Sequence, residues 1–428
     1  MKDLIWAFLE RVFPRIASAL VMLGMTFFIS PSTVGIYALA ILVVTFFQSA
    51  TDAAIRQIAV PALRTEIGRD FLARYSKRTP IVGALFTALP LAAIYITLPA
   101  DTKAEFIPVF IFVLIPTVTA RRVTTIAYHQ KCGNWKALAK FQLIAALLSF
   151  LVSVPVLLIT HSLLAPALQL FITELGFTIL SRRALAECDV KEDSQGESEI
   201  VQETHNPHRE FVHLSLYSMV AWIQTQADRV IMGPLAGAAR LGEYTVATSI
   251  ARSAGDAIST STANVLRPRL FNRGDSEAAT VRSGADAILL KSTPIAAAAT
   301  ATTIAGIELV LRPLLDNEWD SSLDAAIILS LTTGPTLFAW CMTVILIAAK
   351  RIRWAAPIKM IGALCALPIA FAAVQSIQYA ATLAVVREVL VLGLLTLVAR
   401  RYTPWISLCM MLGLYTTLTT IVALLLGT

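Results

Sequence analysis

Thirteen apolar stretches of about 20 residues recur along the chain between Leu4 and Leu426, and about 20 residues is the helix length that crosses a hydrocarbon core of roughly 30 Å. Inside a bilayer the backbone must satisfy its own polar groups, so segments of this length are predicted to be helices. The predicted spans are 6–29, 34–60, 79–99, 105–127, 138–160, 163–182, 211–236, 241–266, 284–311, 324–349, 354–374, 378–399 and 404–426. Hydrophobic residues make up 57% of the 428 and charged residues 15%, against about 25% charge in a soluble domain. The connections between spans are too short to hold a water-soluble domain, so any catalytic module would have to be built from helices or very short loops. The first stretch lacks a small-residue cleavage site and runs into the second, which predicts a retained signal anchor. Cys132, Cys188, Cys341, Cys365 and Cys409 are scattered singly and read as reduced core fillers.

Basic residues are concentrated in every second connection: Arg64 to Arg78, Lys131 to Lys140, Arg182 and Arg183, Arg267 to Arg282, Lys350 to Arg353, and Arg400 and Arg401. By the positive-inside rule these connections are cytoplasmic, which places the N-terminus inside. The net charge of +7 is explained by that sidedness and by anionic inner-leaflet lipids, so it indicates no nucleic-acid partner.

Landmarks of the first half return in the second. At an offset of 207, Gly35 and Tyr37 match Gly242 and Tyr244, and Pro61 and Leu63 match Pro268 and Leu270; at 219, Pro116, Lys131, Trp135 and Lys140 match Pro335, Lys350, Trp354 and Lys359. Proline, tryptophan and Gly-x-Tyr matches in one register are poorly explained by chance among apolar segments. Six spans per copy is an even number, so both copies share one polarity, as in parallel-repeat transporters. The expected fold class is therefore an all-α polytopic membrane protein of 12–14 transmembrane helices, thirteen by count. Two parallel six-helix repeats would form an N-lobe over 1–183 and a C-lobe over 211–402 around a central cavity. Residues 184–210, with eight acids and two bases, read as a cytoplasmic linker, and 403–428 as an additional span. His205 and His208 form an HxxH, a weak metal pattern better read as solvated linker histidines; no metal is expected.

A charge at membrane depth is costly and faces a cavity or a partner. Arg252 lies eleven residues into its span, near the midplane, with Asp256 four residues on. Asp228 and Arg229 lie in the outer half of the preceding span. Asp52 and Arg56 repeat the i, i+4 spacing, Arg11 and Arg15 share one face, and Arg121 and Arg122, Glu174, and Arg387 with Glu388 also lie within predicted spans. The repeat does not demand them, since Arg252 corresponds to Thr45 and Arg229 to Met22. Snorkelling of Arg11, Arg56, Arg121 and Arg122 and structural pairing of Arg252 with Asp256 or Arg229 with Asp228 are the competing readings. As a cationic substrate site, Arg252, Arg229, Arg15, Arg56 and Arg121 would suit an anion, because a guanidinium grips phosphate with a planar fork of donors. In a lipid setting the natural candidate is a phosphorylated lipid. Asp52, Asp228 and Asp256 are the candidates for ion coupling. Gly233 and Gly237 form a GxxxG that reads as a close helix contact.

The run Ser215 to Gly233, with Gln226-Ala227-Asp228-Arg229-Val230-Ile231-Met232-Gly233, and the segment Leu241 to Ala247 resemble the seventh and eighth spans of Wzx-type polysaccharide flippases of the MOP (multidrug/oligosaccharidyl-lipid/polysaccharide) exporter superfamily. Val34 to Leu39 and Asn264 to Leu270 resemble the same family. Thirteen apparent spans depart from its even helix number. The resemblance implies two lobes, a central cationic cavity and movement of polyprenyl-diphosphate-linked oligosaccharide from the inner to the outer leaflet of the bacterial cytoplasmic membrane. It implies a transporter and no enzyme, without a cofactor beyond H+ or Na+ as coupling ion. Expected partners are the lipid-linked oligosaccharide, membrane lipids, and a polysaccharide polymerase or glycosyltransferases of the same pathway. The alternatives are a drug or metabolite exporter of the same superfamily and, from another class, a membrane glycosyltransferase or polymerase.

Overall fold

The computed structural model describes residues 2–63, 65–98, 100, 102–132, 134–183, 207–271, 278–349 and 354–427. Among the described residues the structure is helical and contains no strand. In chain order the helices are α1 (Lys2–Met25), α2 (Pro31–Ala62), α3 (Glu66–Thr97), α4 (Lys103–Lys131), α5 (Trp135–Thr160), α6 (Leu164–Arg183), α7 (Pro207–Phe271), α8 (Ala278–Leu314), α9 (Asp320–Ser330), α10 (Thr333–Ala348), α11 (Ala355–Gln375), α12 (Ile377–Val398) and α13 (Trp405–Leu426). Ile107–Leu114 within α4 winds as 3-10 helix and Ile307–Leu311 within α8 as π-helix.

Among the described residues, nine helices are long and apolar enough to cross a membrane, or ten if Asn317–Ser330 and Thr333–Ile347, bent by 45°, form one span. Thirteen is not reached by that measure. The other three predicted spans fall on α1 and on the two parts of α7, whose charges (Glu10, Arg11, Arg15; Asp228, Arg229; Arg240, Glu243, Arg252, Asp256) lower their apolar character. Large apolar side chains such as Ile159, 82% exposed, and Ile96, 72% exposed, cover more of the surface than water tolerates. The protein is a multi-pass membrane protein.

Helix starts follow local chemistry. Thr65 caps α3, its hydroxyl accepting from the Gly68 amide at 3.1 Å, and Ser376 caps α12 by accepting from the Gln378 amide at 3.1 Å, each meeting one of the amides a helix start leaves without a partner. Pro207 opens α7 at the position where a missing N–H costs nothing. Residues 184–206 of the predicted linker, including His205, lie outside the described residues. The close helix contact expected at Gly237 is not made there. Gly237, with φ at 86° and open space for 4 Å around the point where a Cβ would stand, is the break where α7 turns back on itself. Only glycine takes that backbone conformation without strain. The break falls between the predicted spans 211–236 and 241–266, and we refer to the arms of α7 as α7a (207–236) and α7b (238–271).

The chain divides into two compact units, Met1–Ile29 with Ile36–Trp222, and Ser30–Gly35 with Ile223–Thr428. In the first, Ile55, Ala59, Phe71, Leu72, Ala120 and Val123 form a buried core on which Phe211 and Leu214 of α7a pack. The Trp222 indole N–H donates to Thr45 Oγ1 at 3.2 Å and the Ser49 hydroxyl to the Ser218 carbonyl at 3.0 Å, which ties the start of α7a to α2. The second unit has its own core of Leu266, Leu289, Phe338, Ile345, Leu392 and Met411. Here α13 is fastened to α8 at its first turn and at its middle. Asp286 accepts from the Ser407 amide at 3.1 Å and from its hydroxyl at 2.7 Å, and Thr300 and Tyr415 hydroxyls pair at 3.0 Å.

Candidate functional site

The second unit contains a buried charge network drawn from α7a, α7b and α12. The turn at Gly237 sets Asp228 and Tyr244 against each other: the Tyr244 hydroxyl donates to Asp228 Oδ2 at 3.0 Å. Tyr244 is fully buried and Asp228 is 2% exposed. A carboxylate at that burial needs a cation or several donors. Arg387 of α12 supplies the cation, with Nη1 at 3.2 Å from Asp228 Oδ2 and a side chain fully shielded from solvent. Its Nη2 donates to Glu388 Oε1 at 3.0 Å. Arg252 of α7b closes the chain, its Nη2 at 3.7 Å from the same Glu388 oxygen. The Arg229 backbone amide donates to Asp228 Oδ1 at 2.9 Å, and its guanidinium donates to the Thr248 hydroxyl.

Sequence spacing suggested other pairs. Among the described residues, Arg252 meets Glu388, with no ion pair to Asp256, and the Asp228 carboxylate meets the guanidinium of Arg387 in place of its neighbour's. An i, i+4 pair on one helix is worth only about 0.3–0.5 kcal/mol, so a partner on a packed neighbouring helix prevails. Arg387 and Glu388, adjacent in sequence, pair with each other at 3.0 Å and complete the network. Tyr244 stands out in the sequence only as a repeat landmark.

Of the remaining predicted residues, Arg121 and Asp52 belong to the first unit and Asp256 to the second. Arg121 is exposed on α4, while its neighbour Arg122 is buried, paired with Glu174, 2.9 Å from Gln142 Oε1 and over the Phe177 ring. Asp52 is 8% exposed and accepts from the Thr51 hydroxyl at 3.3 Å. Asp256 is partly buried on α7b. The side chains of Arg15 and Arg56 lie outside the described residues. No group of three or more His, Cys, Asp or Glu side chains that could hold a metal occurs among the described residues. His208 packs edge-on against Phe71 with ring centres 4.7 Å apart.

Chemically, the network holds three arginines, Arg229, Arg252 and Arg387, against two carboxylates, Asp228 and Glu388. Arg387 is committed on both sides. Among the described residues, Arg252 and Arg229 keep guanidinium donors without a carboxylate at hydrogen-bond distance, and Arg252's side chain is 20% exposed. The arrangement can therefore receive an anion at Arg252 and Arg229.

The whole-chain fold is that of the MOP transporters. The structure of the lipid II flippase MurJ in an inward closed conformation matches with a TM-score of 0.64 at 11% identity over 99% of this chain and 100% of that one. A MATE structure in complex with MaL6 matches with a TM-score of 0.62 at 12% identity over 93% and 95%. A MOP superfamily transporter from Pyrococcus furiosus matches with a TM-score of 0.59 at 13% identity over 93% of each chain. These likenesses establish the fold of the chain. The chain belongs to the family described as polysaccharide biosynthesis protein, which matches residues 24–324. No curated protein matches the sequence.

Proposed function

We propose that the protein is a flippase that moves a polyprenyl-diphosphate-linked oligosaccharide from the inner to the outer leaflet of the bacterial cytoplasmic membrane by alternating access, with its N-terminus in the cytoplasm, for the synthesis of a cell-surface polysaccharide. The observation that carries this reading is the surplus of guanidinium donors at Arg252 and Arg229 inside a chain of the polysaccharide biosynthesis family. An arginine in a low-dielectric setting recognises a diphosphate through charge-assisted, two-pronged hydrogen bonds. The MATE likeness concerns the fold and leaves the substrate open. Against a cationic drug, Asp228, the acid that would attract one, has both oxygens committed to Arg229, Tyr244 and Arg387. Asp52, Asp228 and Asp256 are proposed to couple transport to H+ or Na+, and a polymerase or glycosyltransferases of the same pathway to be its partners.

The test is transport of lipid-linked oligosaccharide in reconstituted vesicles. R252A and R229A are each expected to abolish appearance of the glycan in the outer leaflet while the proteins insert normally. Full transport in both variants refutes this use of the two arginines, and transport of a cationic dye without any lipid-linked glycan refutes the substrate class.

A further inference from the structure

The two cation contacts of Glu388 are unequal. Its Oε1 accepts a hydrogen bond from Arg387 Nη2 at 3.0 Å, whereas Arg252 Nη2 stands 3.7 Å away, beyond hydrogen-bond range and within reach of Coulomb attraction alone. Arg387 cannot leave: its side chain is fully shielded and its other nitrogen holds Asp228 at 3.2 Å. Arg252, one-fifth exposed, donates no hydrogen bond among the described residues. One carboxylate is thus fixed by a buried arginine and pointed at a second arginine that is free to turn.

We propose that Glu388 is a built-in competitor for the anionic head group at Arg252, and that Arg387 is the positioning residue that holds it there. The proposal rests on the reading of Arg252 as a diphosphate contact. A diphosphate offers several charged oxygens and can take two guanidinium donors at once, so it outbids a single carboxylate oxygen at 3.7 Å. When Arg252 turns to the phosphate, Glu388 loses little, because Arg387 still satisfies it. No buried carboxylate is stranded, and stranding is the usual large cost of breaking such a pair. When the head group departs, Glu388 recaptures Arg252, so the carboxylate also limits how tightly substrate is retained. A weak anion that cannot bridge two donors gains nothing by displacing it. Glu388 would therefore tune both selectivity for diphosphate and its release.

The experiment uses the full chain in nanodiscs and measures binding of farnesyl diphosphate, inorganic pyrophosphate and farnesol. E388Q, whose amide oxygen can still accept from Arg387, is expected to tighten farnesyl diphosphate binding about tenfold, the scale of one partly buried charge pair. Pyrophosphate should tighten by the same factor if the head group alone competes, and farnesol should not change. E388D keeps the charge and should bind as the wild type does. E388A, which removes the acid altogether, must also tighten binding and reads the same quantity if E388Q does not fold. Unchanged diphosphate affinity in E388Q and E388A, beside weakened binding in R252Q, overturns the competitor role and leaves the transport reading intact. Equal tightening in E388D and E388Q overturns it too, because the effect would then follow packing and not charge. Wild-type affinity in R252Q overturns the assignment of Arg252 itself.

Discussion

Gly35 and Gly242 occupy reciprocal positions: a Cβ on Gly35 would stand 1.8 Å from the Ala238 carbonyl oxygen, and one on Gly242 would stand 1.8 Å from the Pro31 carbonyl oxygen. Gly35 and Gly242 are separated by 207 residues, as are Pro31 and Ala238. Each helix start therefore meets the other through the same pair of positions, the pattern of a two-fold contact. Close approach of this kind needs glycine, as in small-residue helix contacts within membranes. G35A and G242A are each expected to lower the melting temperature of the detergent-purified protein by several degrees, and by similar amounts, because the obstacle is backbone and cannot swing aside. G393A, where nothing lies within 4 Å of an added Cβ on α12, should be neutral or stabilising by up to about 1 kcal/mol from helix propensity.

Arg387 anchors the charge network, with Asp228 on one side and Glu388 on the other. R387M takes the fully buried cation away from both carboxylates and should cost about 3–5 kcal/mol. The triple variant D228N/R387M/E388Q removes the stranded charges and should recover most of that loss. Thermal melting of the wild type, the single and the triple variant checks it: a triple variant no more stable than R387M means that Arg387 acts through its packing.

Much of the helical layout is legible in sequence, because bilayer thickness sets span length and leaves a periodic apolar trace. The reversal between α7a and α7b is visible in the same way, as the break in hydropathy around Gly237. Pairings inside the membrane are less legible. Asp228 and Arg387 lie 159 residues apart, and nothing local to either names the other. The nearest-neighbour rule suggests Arg252 with Asp256, and helix packing replaces it with Glu388. Asp286 is visible only as an acid just inside an apolar run, since its role depends on where the start of α13 comes to rest.

That role yields a separate prediction. Asp286 is 9% exposed and Ser407 fully buried, and the carboxylate receives both the Ser407 amide and its hydroxyl. D286A leaves the Ser407 amide without a partner and its hydroxyl with only the backbone carbonyl of residue 286, 3.3 Å away, at about 1–3 kcal/mol. Because the contact fastens the first turn of α13 to α8, the loss should be local: hydrogen exchange and proteolysis should increase in 403–428 while α7b and α12 keep their protection. Uniform loosening of the second unit would show that Asp286 supports the core as a whole.

The last prediction concerns the coupling ion, and the three candidate aspartates differ in what the structure lets them do. An acid that couples transport to a gradient must exchange its proton or ion with solvent at some stage of the cycle. Asp228 is 2% exposed, and its oxygens receive the Arg229 amide, the Tyr244 hydroxyl and Arg387, so a proton reaches it only if that network opens. Asp52 is 8% exposed beside the Thr51 hydroxyl. Asp256 is more open, lies one turn beyond Arg252 on α7b, and forms no ion pair among the described residues. D256N is therefore expected to transport with a rate that no longer follows an imposed pH gradient, and D228N to lose thermal stability because Arg387 then keeps only Glu388. D52N should fall between the two. Flipping is measured in vesicles under a pH gradient with equal sodium, and again under a sodium gradient at equal pH. Dependence on the sodium gradient alone assigns Na+ as the ion, and full gradient dependence in D52N, D228N and D256N leaves all three acids with a structural role.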